Sequence, residues 1–233
     1  MQSHQVVSSD EWLNARQAFL AKEKAFTRMR DELSRERRAL PWVKVDTPYT
    51  FDAPGGKETF ADLFAGKSQL IVYHFMFDPD WQDGCKSCSF WADNYNAIVT
   101  HLNQRDVSMV TISKAPLAKL EAFKRRMGWT FKWVSSFSNS FNRDYGVSYT
   151  SDERERGEIR YNYRTRKYFS SEAPGISVFH GDDKANIFHT YSCYERGLDM
   201  LNGAYHYLDL VPKGRDEAAL SYPMAWVRLH DRY

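Results

Sequence analysis

Nine residues from Gln69 to Phe77, QLIVYHFMF, form a near-continuous apolar run of strand length. A half-solvated strand alternates apolar and polar side chains, whereas one covered on both faces does not, so this run predicts the middle of a sheet flanked by helices. The segments around it keep to that plan. Gly55 and Gly56 mark a turn and Thr59 to Phe64 a short helix before the run. After it, Cys85 to Leu102 reads as a helix, Val107 to Ser113 as a strand, Pro116 to Met127 as a helix and FKWVSS as another strand. Strands alternating with helices in this order predict an α/β core with a central sheet.

Ahead of the core, Ser8, Ser9 and Asp10 offer helix caps, and no Gly or Pro follows until Pro41. Trp12, Phe19, Phe26, Leu33 and Leu40 recur every seven residues and make one apolar stripe on a long helix. The first reading is that this stripe docks on its own domain. A coiled-coil or homodimer contact is the second, because Lys22 and Glu36 interrupt the neighbouring track. The expected organisation is an N-terminal helical arm over 1–42 and one domain over 43–233, with a polar insertion at about 150–171. In that insertion Ile159, Tyr161, Tyr163 and Thr165 alternate with Arg160, Asn162, Arg164 and Arg166, the period of a hairpin. Two late strands joined at Gly181 to Lys184 and a helical stretch around Leu198 to Leu210 complete the chain.

With 233 residues the chain can bury a core without covalent staples, and its three cysteines do not make a disulfide framework. No basic segment followed by an apolar run opens the sequence, and no stretch has the length to span a bilayer, so a soluble cytoplasmic protein with no membrane partner is expected. A net charge of +2 is too small to argue for a nucleic-acid partner. The mixture of arginine and tyrosine from Arg154 to Tyr168 has the composition of a single-strand nucleic-acid surface, but no RNA-binding signature accompanies it, and a solvated hairpin is preferred. No glycine-rich nucleotide loop appears, so no organic cofactor is expected.

Cys85 and Cys88 lie three positions apart at the entrance of a helix, and three readings compete for them: a redox pair, half a metal site, or two core residues. Cys88 falls in phase with Trp91, Tyr95, Val99 and Leu102 on the core face. Cys85 sits at the helix start, where backbone N–H groups without intrahelical acceptors and the helix dipole favour a thiolate. Cys85 is therefore expected to attack and Cys88 to resolve, the division that disulfide exchange requires. Asp78, Asp80 and Asp83 oppose the thiolate and Lys86 partly offsets them. Zinc wants four ligands and the pair supplies two, with Cys193, His74, His180 and His189 at no familiar spacing; Cu(I) or Zn(II) binding and delivery is the rival reading. Cys193 reads as a core thiol, His74 and Tyr73 as core residues in the apolar run. Trp81 either lines a substrate groove next to Cys85 or covers the helix end.

The order of elements, CKSC at a strand-to-helix turn and APGISVF opening a late strand resemble the thioredoxin-like superfamily. In that superfamily a proline before this strand is typically cis and faces the cysteine pair, and Pro174 matches it. Such a proline leaves a backbone edge lacking one N–H donor, where a substrate peptide can lie. From about Glu11 to Tyr233 the chain is similar to a mostly bacterial family called domain of unknown function 899, described as predicted dithiol/disulfide oxidoreductases. RDELSRERRALPWVKV, YHFMFDPDWQDGCKSCSFWADN, FNRDYGV, PGISVFH, TYSCYERGLDMLNGAYHYLDL and WVRLHDRY carry that likeness. FDPDWQDGC is also similar to the peroxiredoxin loop, with Phe77, Pro79 and Cys85 in register and Gln82 in place of its threonine, which leaves a thiol peroxidase as a further alternative.

The resemblance implies a thioredoxin-like, peroxiredoxin-related fold and a thiol/disulfide oxidoreductase. Cys85 and Cys88 are then catalytic, and Pro174, Trp81, Gly84 and Lys86 are candidate substrate-binding residues. The implied partners are a protein or small-molecule thiol or disulfide and a thiol reducing system.

Overall fold

The computed structural model describes residues 4–233, so the first three residues of the expected arm lie outside the described residues. The chain divides into two compact units, Met1–Pro41 and Trp42–Tyr233. The first is one helix, α1 (Ser9–Arg38). Ser8 caps it: its hydroxyl accepts the Glu11 N–H, while the Glu11 carboxylate accepts the Ser8 N–H. Acidic residues in the first turn and Arg35, Arg37 and Arg38 in the last complement the helix dipole.

The second unit is built on strands β1 (Val43–Lys44), β2 (Thr50–Ala53), β3 (Gly56–Thr59) and β4 (Gln69–His74), then helices α2 (Lys86–Ala92) and α3 (Tyr95–Asn103). Strand β5 (Val107–Ser113), helix α4 (Leu117–Arg126), strand β6 (Lys132–Ser135) and helices α5 (Phe141–Asp144) and α6 (Ser151–Arg156) follow. The hairpin β7 (Ile159–Tyr161) and β8 (Arg164–Arg166), strands β9 (Gly175–Gly181) and β10 (Ile187–Tyr194), a 3-10 segment Glu195–Leu201 and helix α7 (Gly203–Leu208) complete it. The sheet runs β1-β10-β9-β4-β5-β6-β2-β3. Strands β4, β5 and β6 are parallel, β9 is antiparallel to β4, and β10 is antiparallel to β9. This is the thioredoxin-like arrangement, with helix α2 following the parallel strand β4, which lies beside antiparallel β9.

The apolar run behaves as its composition requires. Leu70 and Val72 of β4 pack into one core with Val110, Ile112, Phe141 and Phe179, while Tyr73 packs into the other with Cys88, Trp91 and Trp133. Each core excludes water from one face of the sheet. Among the described residues no helix is long and apolar enough to cross a membrane.

Two local expectations are corrected. The helix expected from Cys85 to Leu102 breaks into α2 and α3, because the Asn94 side chain donates to the carbonyls of Phe90 and Trp91 at 3.2 and 3.1 Å, bonding at the joint between the two helices. Asp93 turns outward to accept Trp129 Nε1 at 2.8 Å and to meet His230 Nδ1 at 2.7 Å. The insertion is not a wholly solvated hairpin: it opens with helix α6, and Ile159 and Tyr161 of the hairpin are buried with Val147, Ala173 and Tyr194. The opposite face carries Arg160 and Thr165 outward, while Arg164 and Arg166, in register with Tyr161 and Ile159, share the inner face and pair with Glu195.

Candidate functional site: a dithiol at a helix start

The loop from β4 to α2 is folded back on its own strand. The Cys85 N–H donates to the Met76 carbonyl at 3.1 Å, and Ala115 N–H donates to the Phe77 carbonyl at 2.8 Å. Gly84 is required by close packing: a Cβ there would stand 2.7 Å from Phe75 Cε1 and 3.0 Å from Phe123 Cε1. Two of the three acids expected to oppose a thiolate are engaged elsewhere. Asp83 bridges Arg126 at 2.6 Å and Arg232 at 2.7 Å, and Asp78 accepts the Ser171 hydroxyl at 2.6 Å and the Asp80 N–H at 2.9 Å. Lys86, expected to offset them, donates to the Ala225 carbonyl at 3.1 Å.

Cys85 is the N-cap of α2, and its sulfur accepts the Cys88 N–H at 3.5 Å. Cys85 is half-buried and Cys88 is 2% exposed, both as free thiols. The Cys85 thiol is lowered to about 7, first by the hydrogen bond from the Cys88 thiol; burial opposes this, and the N–H groups of Cys88 and Ser87 add to it. Burial pushes the Cys88 thiol well above its usual value, and the neighbouring Cys85 sulfur pushes it further. Two neighbouring groups work against that rise, the Met76 N–H and the Tyr73 hydroxyl. Tyr73 is fully buried, and its hydroxyl lies 3.3 Å from the Cys88 carbonyl oxygen.

A cavity of about 1100 Å³ adjoins this turn, with Ser87, Cys88, Tyr73, Met76, Tyr168 and Pro174 in its wall. Pro174 and Cys88 therefore share one space, whereas Trp81, Gly84 and Lys86 lie outside its lining. Trp81 is half-buried against the core under α2. Cys85 is not itself part of the wall, but Ser87 and Cys88, whose N–H groups help to lower its thiol, both are. The expectation of a cis proline is corrected: no peptide bond among the described residues is cis, and the Pro174 carbonyl is held by the Tyr161 hydroxyl at 2.7 Å. Among the described residues no group of three or more His, Cys, Asp or Glu is arranged to hold a metal ion, so the cysteines gather no zinc-type ligand set.

The sequence reading missed Tyr73 as a partner of Cys88, and Ser87 and Met76 as donors. Ser87 carried a usable signal, since the first N–H groups of any helix lack intrahelical acceptors. Tyr73 was visible only as a hydroxyl inside an apolar run. The far wall of the cavity comes from Glu195 to Met224, which are joined to the cysteines by topology alone.

A thioredoxin-like sheet with a Cys-x-x-Cys pair at the start of its first crossover helix defines the class. The chain belongs to the family described as bacterial protein of unknown function (DUF899), whose match covers residues 1–233. No curated protein matches it. Among solved structures, it is similar to peroxiredoxin Q of Xanthomonas campestris at 13% identity and a TM-score of 0.45, over 68% of this chain and 90% of that one. It is also similar to peroxidoxin BcpB of Mycobacterium tuberculosis, at 11% identity and a TM-score of 0.47, over 70% and 93%. The yeast mitochondrial 1-Cys peroxiredoxin is similar at 17% identity and a TM-score of 0.39, over 66% and 70%.

Proposed function

We propose that the protein is a thiol/disulfide oxidoreductase working through the Cys85–Cys88 dithiol. The observation that carries this reading is the contrast within one helical turn. One sulfur is half-buried, capped by N–H groups and lowered to about 7, and its neighbour is enclosed and kept protonated. A thiol with a pKa near ambient pH combines a useful thiolate fraction with retained nucleophilicity.

In the reducing direction the Cys85 thiolate bonds to one sulfur of a substrate disulfide, whose S–S bond breaks and releases the first thiolate. Cys88 gives up its proton, and its sulfur bonds to Cys85. The mixed disulfide breaks, and the second thiolate leaves. Two electrons pass from the protein to the substrate, and two protons end on the released thiols. An external dithiol returns the protein disulfide to its starting state. The Tyr73 hydroxyl and the Met76 N–H favour the charged form of Cys88 and so ease the second step.

The test is trapping. With Cys88→Ser the exchange stops at the mixed disulfide, so mass spectrometry should find substrate adducts on Cys85. Equal trapping by Cys85→Ser would reverse the two roles, and no adduct in either variant would sink the reading.

A further inference from the structure

We infer that the disulfide attacked by Cys85 belongs to a small organic molecule of no net charge held in the adjoining cavity, and not to an extended polypeptide. This rests on the redox reading above and names its substrate class.

The first observation is that the edge leading to Pro174 is already filled. Residues 147–149 lie antiparallel to 171–173: the Tyr149 N–H donates to the Ser171 carbonyl at 2.9 Å, the Ala173 N–H donates to the Val147 carbonyl at 2.8 Å, and Ser148 bridges Glu172. Pro174 has no N–H, and its carbonyl is taken by Tyr161. Gly175 is paired on both sides, with His74 and Tyr194. An incoming strand binds by satisfying free main-chain groups on an edge, and here the chain's own segment has used them. Glu172 fastens that segment from inside, its buried carboxyl bonded to Ser148 at 2.5 Å and Asn142 at 3.2 Å.

The second observation is the character of the cavity. It has the volume of a small-molecule site, with an apolar side formed by Trp91, Leu198, Tyr205 and Met224. Its charged residues are balanced and mutually engaged. Arg164 and Arg166 meet Glu195, and Arg196 and Arg215 meet Asp199. Arg215 also meets Asp209 at 2.8 Å. Glu217 accepts from Tyr205, Trp226 and the Met224 N–H. Each guanidinium in the lining already faces a carboxylate, so a polyanion meets four carboxylates beside the four arginines, whereas a neutral or internally balanced molecule meets apolar wall and paired charges. The electron balance is that of exchange: the bound disulfide is the oxidant and takes the two electrons that the protein dithiol loses.

The test uses the reduced full-length protein, following closure of the Cys85–Cys88 disulfide by alkylation and mass spectrometry at pH 7. Three oxidants are compared with diamide, which oxidises dithiols without docking: neutral hydroxyethyl disulfide, dianionic dithiodipropionate, and the disulfides of insulin. Hydroxyethyl disulfide should react at least about tenfold faster than either of the other two, the scale on which favourable positioning raises exchange. If diamide closes the pair but insulin or the dianion matches the neutral disulfide, the inference fails and the redox reading stands. If diamide closes nothing, both fail.

Discussion

The backbone N–H of Cys88 points at the sulfur of Cys85 from 3.5 Å, so each cysteine helps to set the acidity of the other. The largest contribution lowering Cys85 is the hydrogen bond from the Cys88 thiol. Removing that donor should raise Cys85: in Cys88→Ala the pH midpoint for iodoacetamide modification of Cys85 should move upward from about 7 toward 9.0. A midpoint that stays near 7 would mean that the N–H groups alone hold the thiolate.

The same shift has a thermodynamic sign. The Cys85 pKa is lower folded than unfolded, so its contribution to stability is fully present above pH 9 and is lost as pH falls through about 7. Cys88 is raised and acts oppositely, stabilising less as pH climbs above its unfolded value. Urea midpoints of Cys85→Ala compared with the reduced parent should therefore diverge between pH 7 and 9, the parent gaining stability relative to the variant. Parallel curves across that window would contradict a thiolate held by the fold.

Gly84 is a packing requirement. Alanine there drives a methyl group into the rings of Phe75 and Phe123, both of which are fixed in the aromatic core with Trp129 and Trp133. Gly84→Ala should cost about 1–3 kcal/mol, the usual range for overpacking. Because the glycine directly precedes Cys85, the displaced loop should also slow Cys85 alkylation at pH 7. Chemical denaturation and alkylation rates check the two effects separately.

What the sequence disclosed and what it withheld divide along the range of the interactions. The run from Gln69 to Phe77 announced a doubly covered strand because burial of both faces is written into every one of its side chains. The placement of the two cysteines was legible for a similar reason, since Cys85 at a helix start and Cys88 one turn inside differ by local geometry alone. The break at Asp93 and Asn94 was hidden, because it depends on a side chain bonding its own helix carbonyls and on Trp129 and His230 arriving from elsewhere. The insertion hid its role too. Alternation revealed a hairpin, but nothing local said that Tyr161 reaches Pro174 or that Glu195 gathers Arg164 and Arg166.

Glu172 gives the last expectation. Burial raises its carboxyl to about 8, with the hydrogen bonds from Ser148 and Asn142 opposing the shift only in part. Its ordinary value is 4.5, so between about pH 4.5 and 8 the folded state keeps a proton that the unfolded state has released. Stability from this group therefore falls as pH rises through that window, and above pH 8 a charge is forced into the segment that joins 147–149 to Pro174. Glu172→Gln keeps the shape and removes the titration. Thermal midpoints of the parent should decline from pH 5 to 8 relative to the variant, and the variant should be the more stable of the two at pH 8. A parent that is more stable than Glu172→Gln at pH 8 would place a charged carboxylate in that network and require a cation close to it, for which Lys114, at present bonded to the carbonyls of Ser136, Phe137 and Asn139, is the nearest candidate on the structure.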